Sequence, residues 1–216
     1  MYKITSEDRE LQKMVNRDRA SLAATFSKNF EVQEKTLNLI SKSIQHADFN
    51  RFDSNKIIWN VSGYVNILSY DLKVVGKNLV LAKEEWEKRY FVRQLALLAY
   101  EGMNDLLELL GKIFRRTISM LSNHEKLIDE LNTNVSRLNT FKSSREHSLK
   151  KIRNVSIAHR DRSSIEQLNV IYDITWSEGI EIATEFDQIL NPIGGFLQSV
   201  INKSVVEFDE LKNGSK

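Results

Sequence analysis

The chain has 216 residues, 41% hydrophobic and 28% charged, with a net charge of +2; this composition suits a folded globular chain and argues against a disordered one. It contains no cysteine, which excludes disulfides, thiolate zinc sites and thiol redox chemistry. No apolar run approaches membrane-spanning length, and the opening MYKITSEDRE holds no apolar signal segment, so a cytoplasmic protein with no membrane partner is expected.

There is one proline, where average usage would supply about ten. Proline breaks helix interiors, glycine is scarce, and period-two alternation with Asn-Gly turns is missing. The expected fold is all-α, a bundle of long antiparallel helices. Thr5 and Asp8 form a capping box that starts a helix to about Ala24. FSKNF (26–30) is expected to interrupt it, with a second piece from Glu31 to His46. ADFNRFDSN is a polar connection. Asp53 or Ser54 then caps a helix carrying Ile57, Ile58, Val61, Val65 and Leu68 at 3–4 spacing.

From Lys83 to Leu121 the pattern continues for about ten turns, with acids in its first turn as the helix dipole prefers. SNHE is the next break. A long helix follows from His124 to about Ala158, bearing Leu127, Leu131, Val135, Leu138, Phe141 and Leu149. Ser163 and Glu166 form a second capping box, and the helix behind it carries Ile165, Leu168, Ile171, Trp176 and Ile180. NPIGG ends that helix, and Pro192 opens a last one. No internal repeat is present. Residues 1–50 are expected to form an N-terminal helical arm packed on the bundle, and 51–216 the main helical domain.

Several chemistries lack their parts. There is no G-x-x-x-x-G-K-[ST] loop, no G-x-G-x-x-G and no G-x-S-x-G elbow. None of His46, His124, His147 or His159 has a glutamate three residues earlier, as a carboxylate-bridged di-iron bundle requires. No metal or cofactor is expected. Glu101, Asp105 and Glu108 line one helix face and suit a solvated acidic stripe. Trp59, Trp86 and Trp176 fall among apolar residues and suit the core.

Charge distribution singles out one region. Between Lys142 and Arg162 stand seven Lys/Arg against two acids, whereas Ser163 to Asn191 holds six acids and no Lys or Arg. Two neighbouring helices that attract one another explain this, with Arg153 and Arg160 paired to Glu166, Asp173 and Glu178. A basic patch for an anionic ligand explains it too. Within the basic run lies IRNVSIAHRDR, residues 152–162. An imidazole ordinarily titrates near neutral pH, so that of His159 is a candidate for moving a proton. A guanidinium can hold a phosphate through two parallel hydrogen bonds, and Asn154 adds a neutral donor and acceptor. These are the parts of metal-free RNA cleavage: a base takes the 2′-hydroxyl proton, the oxygen attacks the adjacent phosphorus, and arginine neutralises the developing charge. The structural alternatives are that His159 caps a helix end, that Asn154 is a surface polar residue, that Asp161 caps the next helix, and that His147 is solvated.

RNVSIAH (153–159) resembles the signature of the HEPN superfamily, an arginine followed by a polar residue and then histidine after four to six intervening residues. The RN…AHRD form is similar to that of abortive-infection members. The close resemblance covers about residues 145–165, and the bundle extends it loosely over about 50–190. It implies a metal-independent endoribonuclease, a toxin or phage-defence effector, active as a homodimer with a composite site at the interface. Arg153 would then bind phosphate, Asn154 orient it, and His159 serve as general base or acid. Lys150, Lys151 and Arg160 would add phosphate-binding charge. A nucleotidyltransferase-like antitoxin is the partner class to look for beside RNA. Some members of the family bind RNA or nucleotides without cleaving.

Helix arithmetic adds a condition. Six positions turn by about 600°, leaving Arg153 and His159 roughly 120° apart with a rise of about 9 Å. Either the helix ends or kinks near Ser156 to Ala158, or a second chain completes the site across a two-fold axis.

Overall fold

In a computed structural model the described residues are 1–157 and 162–214, with side chains through 207. They form seven helices: α1 (Ser6–Phe49), α2 (Asp53–Leu81), α3 (Glu85–Leu109), α4 (Lys112–Ile118), α5 (Glu125–Ser156), α6 (Ser164–Asp173) and α7 (Trp176–Gly214). No strand occurs among the described residues, and the expected all-α bundle of long antiparallel helices is what forms. None of these helices is long and apolar enough to cross a membrane.

The Thr5–Asp8 capping box forms with both of its hydrogen bonds, at 2.8 and 3.1 Å. Asp8 is buried and also serves as a tie between helices. Its other oxygen accepts the Ser177 N–H at 2.7 Å, fixing the start of α1 to the first turn of α7. Burial pushes this carboxyl up, but the N–H groups of Thr5 and Ser177 outweigh burial and hold it below the usual carboxylate range.

Four boundaries differ from the sequence expectation. α1 runs unbroken through FSKNF. Phe26 and Phe30 are one turn apart and in ring contact, and Phe30 packs on Tyr70 of α2 at 5.3 Å, so the segment is bound along its helical face. The expected Lys83–Leu121 helix breaks at Gly111 instead of continuing. A Cβ there would lie 2.7 Å from the Glu108 carbonyl oxygen, an approach only glycine allows.

The helix from Ser164 stops at Asp173, and Thr175 starts a new one by accepting the Glu178 N–H at 3.2 Å. Beside it the buried Trp176 donates its indole N–H to the Leu79 carbonyl at the end of α2, 2.9 Å away. Finally, α7 passes straight through Pro192. Phe186, Leu190, Ile193, Leu197 and Val200 are all buried at 3–4 spacing across it, and that continuous apolar stripe outweighs one lost backbone bond.

α3 is the central post. Val92, Leu95, Ala96, Ala99, Met103 and Leu106 are each 0% exposed, and the helix packs on α2, α5 and α7. At Gly179 of α7 a Cβ would sit 2.4 Å from Val92, so the two helices touch there through the missing side chain.

Asp8→Ala is expected to lower the unfolding free energy at pH 7 by about 1–2 kcal/mol. The native carboxyl titrates below its unfolded value. Its contribution is therefore present above the unfolded value and fades as pH falls through the native one, so the gap between the two proteins should close in acid. Urea denaturation across that pH range checks this, and equal stabilities at neutral pH would contradict it.

Candidate functional site

The last turns of α5 bury Leu149, Ile152 and Ser156 against the bundle. Lys150, Lys151, Arg153 and Asn154 are left at or near the surface. α5 then ends at Ser156, before the histidine of the motif. Ser156 is 0% exposed and turns its hydroxyl onto the Ile152 carbonyl at 2.6 Å. Its own carbonyl, orphaned at the helix end, accepts from the buried Arg93 of α3 at 3.1 Å. Ile157 follows with φ −140° and ψ −57°, outside the helical region. His159 and Arg160, with Ala158 and Asp161, lie outside the described residues.

Arg153 is half-buried and held on three sides. Its Nε and Nη2 both reach Oε1 of Glu101, at 2.6 and 2.5 Å. Its Nη1 donates to Oδ1 of Asn154 at 2.7 Å. Its guanidinium lies 5.1 Å from the Tyr100 ring centroid, a cation–π contact. Arg153 and Asn154 are thus brought together.

Asp105 and Glu108 are exposed and Glu101 is nearly half exposed, as a solvated acidic stripe requires, but two of the three have partners. Glu101 is spent on Arg153, and Asp105 accepts the Tyr64 hydroxyl at 2.7 Å. Burial and that carboxylate push the Tyr64 hydroxyl well above its ordinary value.

The other basic residues divide into two sets. Lys142 bonds Asn104 at 2.7 Å and lies 3.8 Å from Glu146, and Arg145 grips Glu185 and Glu181. Lys150 and Lys151 are exposed and have no ion pair with a described residue. They do not form one strip. Lys150 is one turn from Arg153, whereas Lys151 faces the other side of α5, into a cleft of about 220 Å³ shared with Lys3, Asp173 and Glu178.

Three residues of this region escape a sequence reading. Glu101 and Tyr100 lie 52 and 53 positions from Arg153, and Arg93 lies 63 from Ser156. Their one local signal is a set of polar and aromatic residues at helical spacing on α3. Trp86 also departs from expectation: it is 47% exposed, while Trp176 is in the core.

A double-mutant cycle with Glu101→Gln and Arg153→Gln should show coupling of about 0.5–1 kcal/mol, the modest value due to a pair with one partner nearly half exposed. Raising the salt to about 1 M should shrink it. No coupling at low salt would mean that the pair contributes nothing in solution.

The chain matches no protein-family model, no curated protein and no solved structure.

Proposed function

We propose that the protein is a metal-independent endoribonuclease of HEPN type, acting in the cytoplasm as a toxin or phage-defence effector, with a site completed in a homodimer. The observation that carries this is the end of α5 at Ser156, between Arg153 and His159. On one straight helix those residues diverge by about 120°; a chain that leaves the helix between them is free of that limit.

In this scheme His159 takes the proton from a 2′-hydroxyl, whose oxygen then attacks the neighbouring phosphorus. The bond to the 5′-oxygen breaks, that oxygen is protonated by the imidazolium or by water, and the products are a 2′,3′-cyclic phosphate and a 5′-hydroxyl. Arg153, aimed by Asn154 and backed by Tyr100, holds the phosphate as charge develops. Glu101 keeps the guanidinium oriented beforehand, and a phosphate would have to displace or share that carboxylate. Lys150 adds charge one turn away, and Arg160 is placed by the motif beside His159. A nucleotidyltransferase-like antitoxin would be the neutralising partner.

A second reading has one observation in its favour. The charge of Arg153 is already met by Glu101 at 2.5 Å, which suits a non-catalytic module that binds RNA or nucleotide weakly and reversibly.

The test is RNA cleavage in excess chelator with the ends of the products identified. Cyclic phosphate ends are expected, with His159→Ala slowing cleavage by about 10²–10⁴-fold and Arg153→Ala by about 10²–10³-fold. Intact RNA at protein concentrations that maintain a dimer would overturn the nuclease. Cleavage that survives His159→Ala would overturn the site. Glu101→Gln should tighten RNA binding by releasing Arg153, as read by anisotropy of a labelled strand, and unchanged or weaker binding would contradict competition at that guanidinium.

A further inference from the structure

We propose that Trp86 and Tyr90 form a stacking platform for an unpaired base of single-stranded RNA beside the end of α5. This rests on RNA as the ligand of the proposed function and names the residues that would hold it away from the reacting phosphate.

Trp86, Tyr90, Arg93 and Tyr100 fall at i, i+4, i+7 and i+14 of α3, and so share one stripe of that helix. Large aromatic side chains on a core helix are normally covered, yet Trp86 is 47% and Tyr90 44% exposed. Both rings lie 5.7 Å from the guanidinium of Arg93. Arg93 is itself buried and bonded to the Ser156 carbonyl. The buried Arg93 guanidinium therefore holds the two rings, and their remaining area is exposed.

α3 and α5 run antiparallel, with Arg93 opposite Ser156, so Trp86 and Tyr90 extend past the end of α5. Near the end of α5, Lys150 is exposed and has no ion pair to a described residue. At the other end of the same stripe, about 15 Å from Tyr90 at 1.5 Å per residue, Tyr100 carries Arg153 in the same cation–π arrangement. Flat aromatic faces at one end of the stripe thus share the region with the Arg153 guanidinium held over Tyr100 at the other, and a strand that exchanged Glu101 for a phosphate there would be bound through base and backbone together.

The probe is a 2′-O-methyl RNA of about twelve nucleotides, which has no free 2′-hydroxyl and so reports binding without cleavage. Binding should quench tryptophan fluorescence. Trp86→Ala and Tyr90→Ala should each weaken binding by roughly 5- to 150-fold, the loss of one base stack, with the helical fold retained by circular dichroism. Trp86→Phe should keep most of the affinity and lose the quench. On cleavable RNA, Trp86→Ala should raise the half-saturating concentration and leave the rate at saturation alone. Wild-type affinity in both alanine variants overturns the platform even if the protein cleaves RNA. Weaker binding by the variants with no cleavage by any protein supports the platform and overturns the nuclease. Loss of the dimer on Trp86→Ala would make this face a contact between copies and overturn the platform as well.

Discussion

Three polar contacts along one stripe of α3 hold α5 in register: Arg93 to the Ser156 carbonyl, Glu101 to Arg153, and Asn104 to Lys142. The apolar faces of both helices would bind in several sliding positions, since leucine and valine are not particular about which neighbour they meet. Charged and amide groups are. A one-turn slip would take the Ser156 carbonyl away from the buried Arg93, and losing a partner for a buried polar group is costly. The ladder therefore decides where α5 stops relative to the core. The geometry open to the motif follows from that stopping point.

The same ladder shapes the electrostatics of the region. Counted along the chain, residues 142–162 are a strongly basic run. In space, much of that charge is consumed. Arg145 is gripped by Glu181 and Glu185, and Arg153 by Glu101. Among the described residues of that run, what stays without an ion pair is Lys150, Lys151 and Arg162. A phosphate arriving at Arg153 meets an oriented guanidinium with a carboxylate already bound, so binding there is an exchange of partners. That costs affinity and gains preorganisation, because the guanidinium does not have to be ordered when the ligand arrives.

Fold class was legible because its cause is local: one proline, few glycines and apolar spacing of 3–4 leave only helices. The caps at Thr5 and Ser163 were legible for the same reason. The missed boundaries all depend on neighbours. FSKNF stays helical because Phe30 meets Tyr70, and Pro192 stays inside α7 because the stripe around it is buried on both sides. Gly111 marks a break visible only when the Glu108 carbonyl is placed against it. At the site, the residue types were legible and the partners were not. Attraction between the basic and acidic segments was expected to engage Arg153. It is real, but it runs through Arg145, while Arg153 reaches a glutamate 52 residues earlier on another helix.

The end of α5 is proposed to let Arg153 and His159 serve one phosphate. The most direct measurement is a crystal structure of the protein bound to 2′-O-methyl RNA. The predicted result is one phosphate contacted by both an Arg153 guanidinium and a His159 imidazole, from one protomer or from two related by a two-fold axis. A phosphate bound elsewhere, with His159 facing away from Arg153 and far from any symmetry axis, would contradict it.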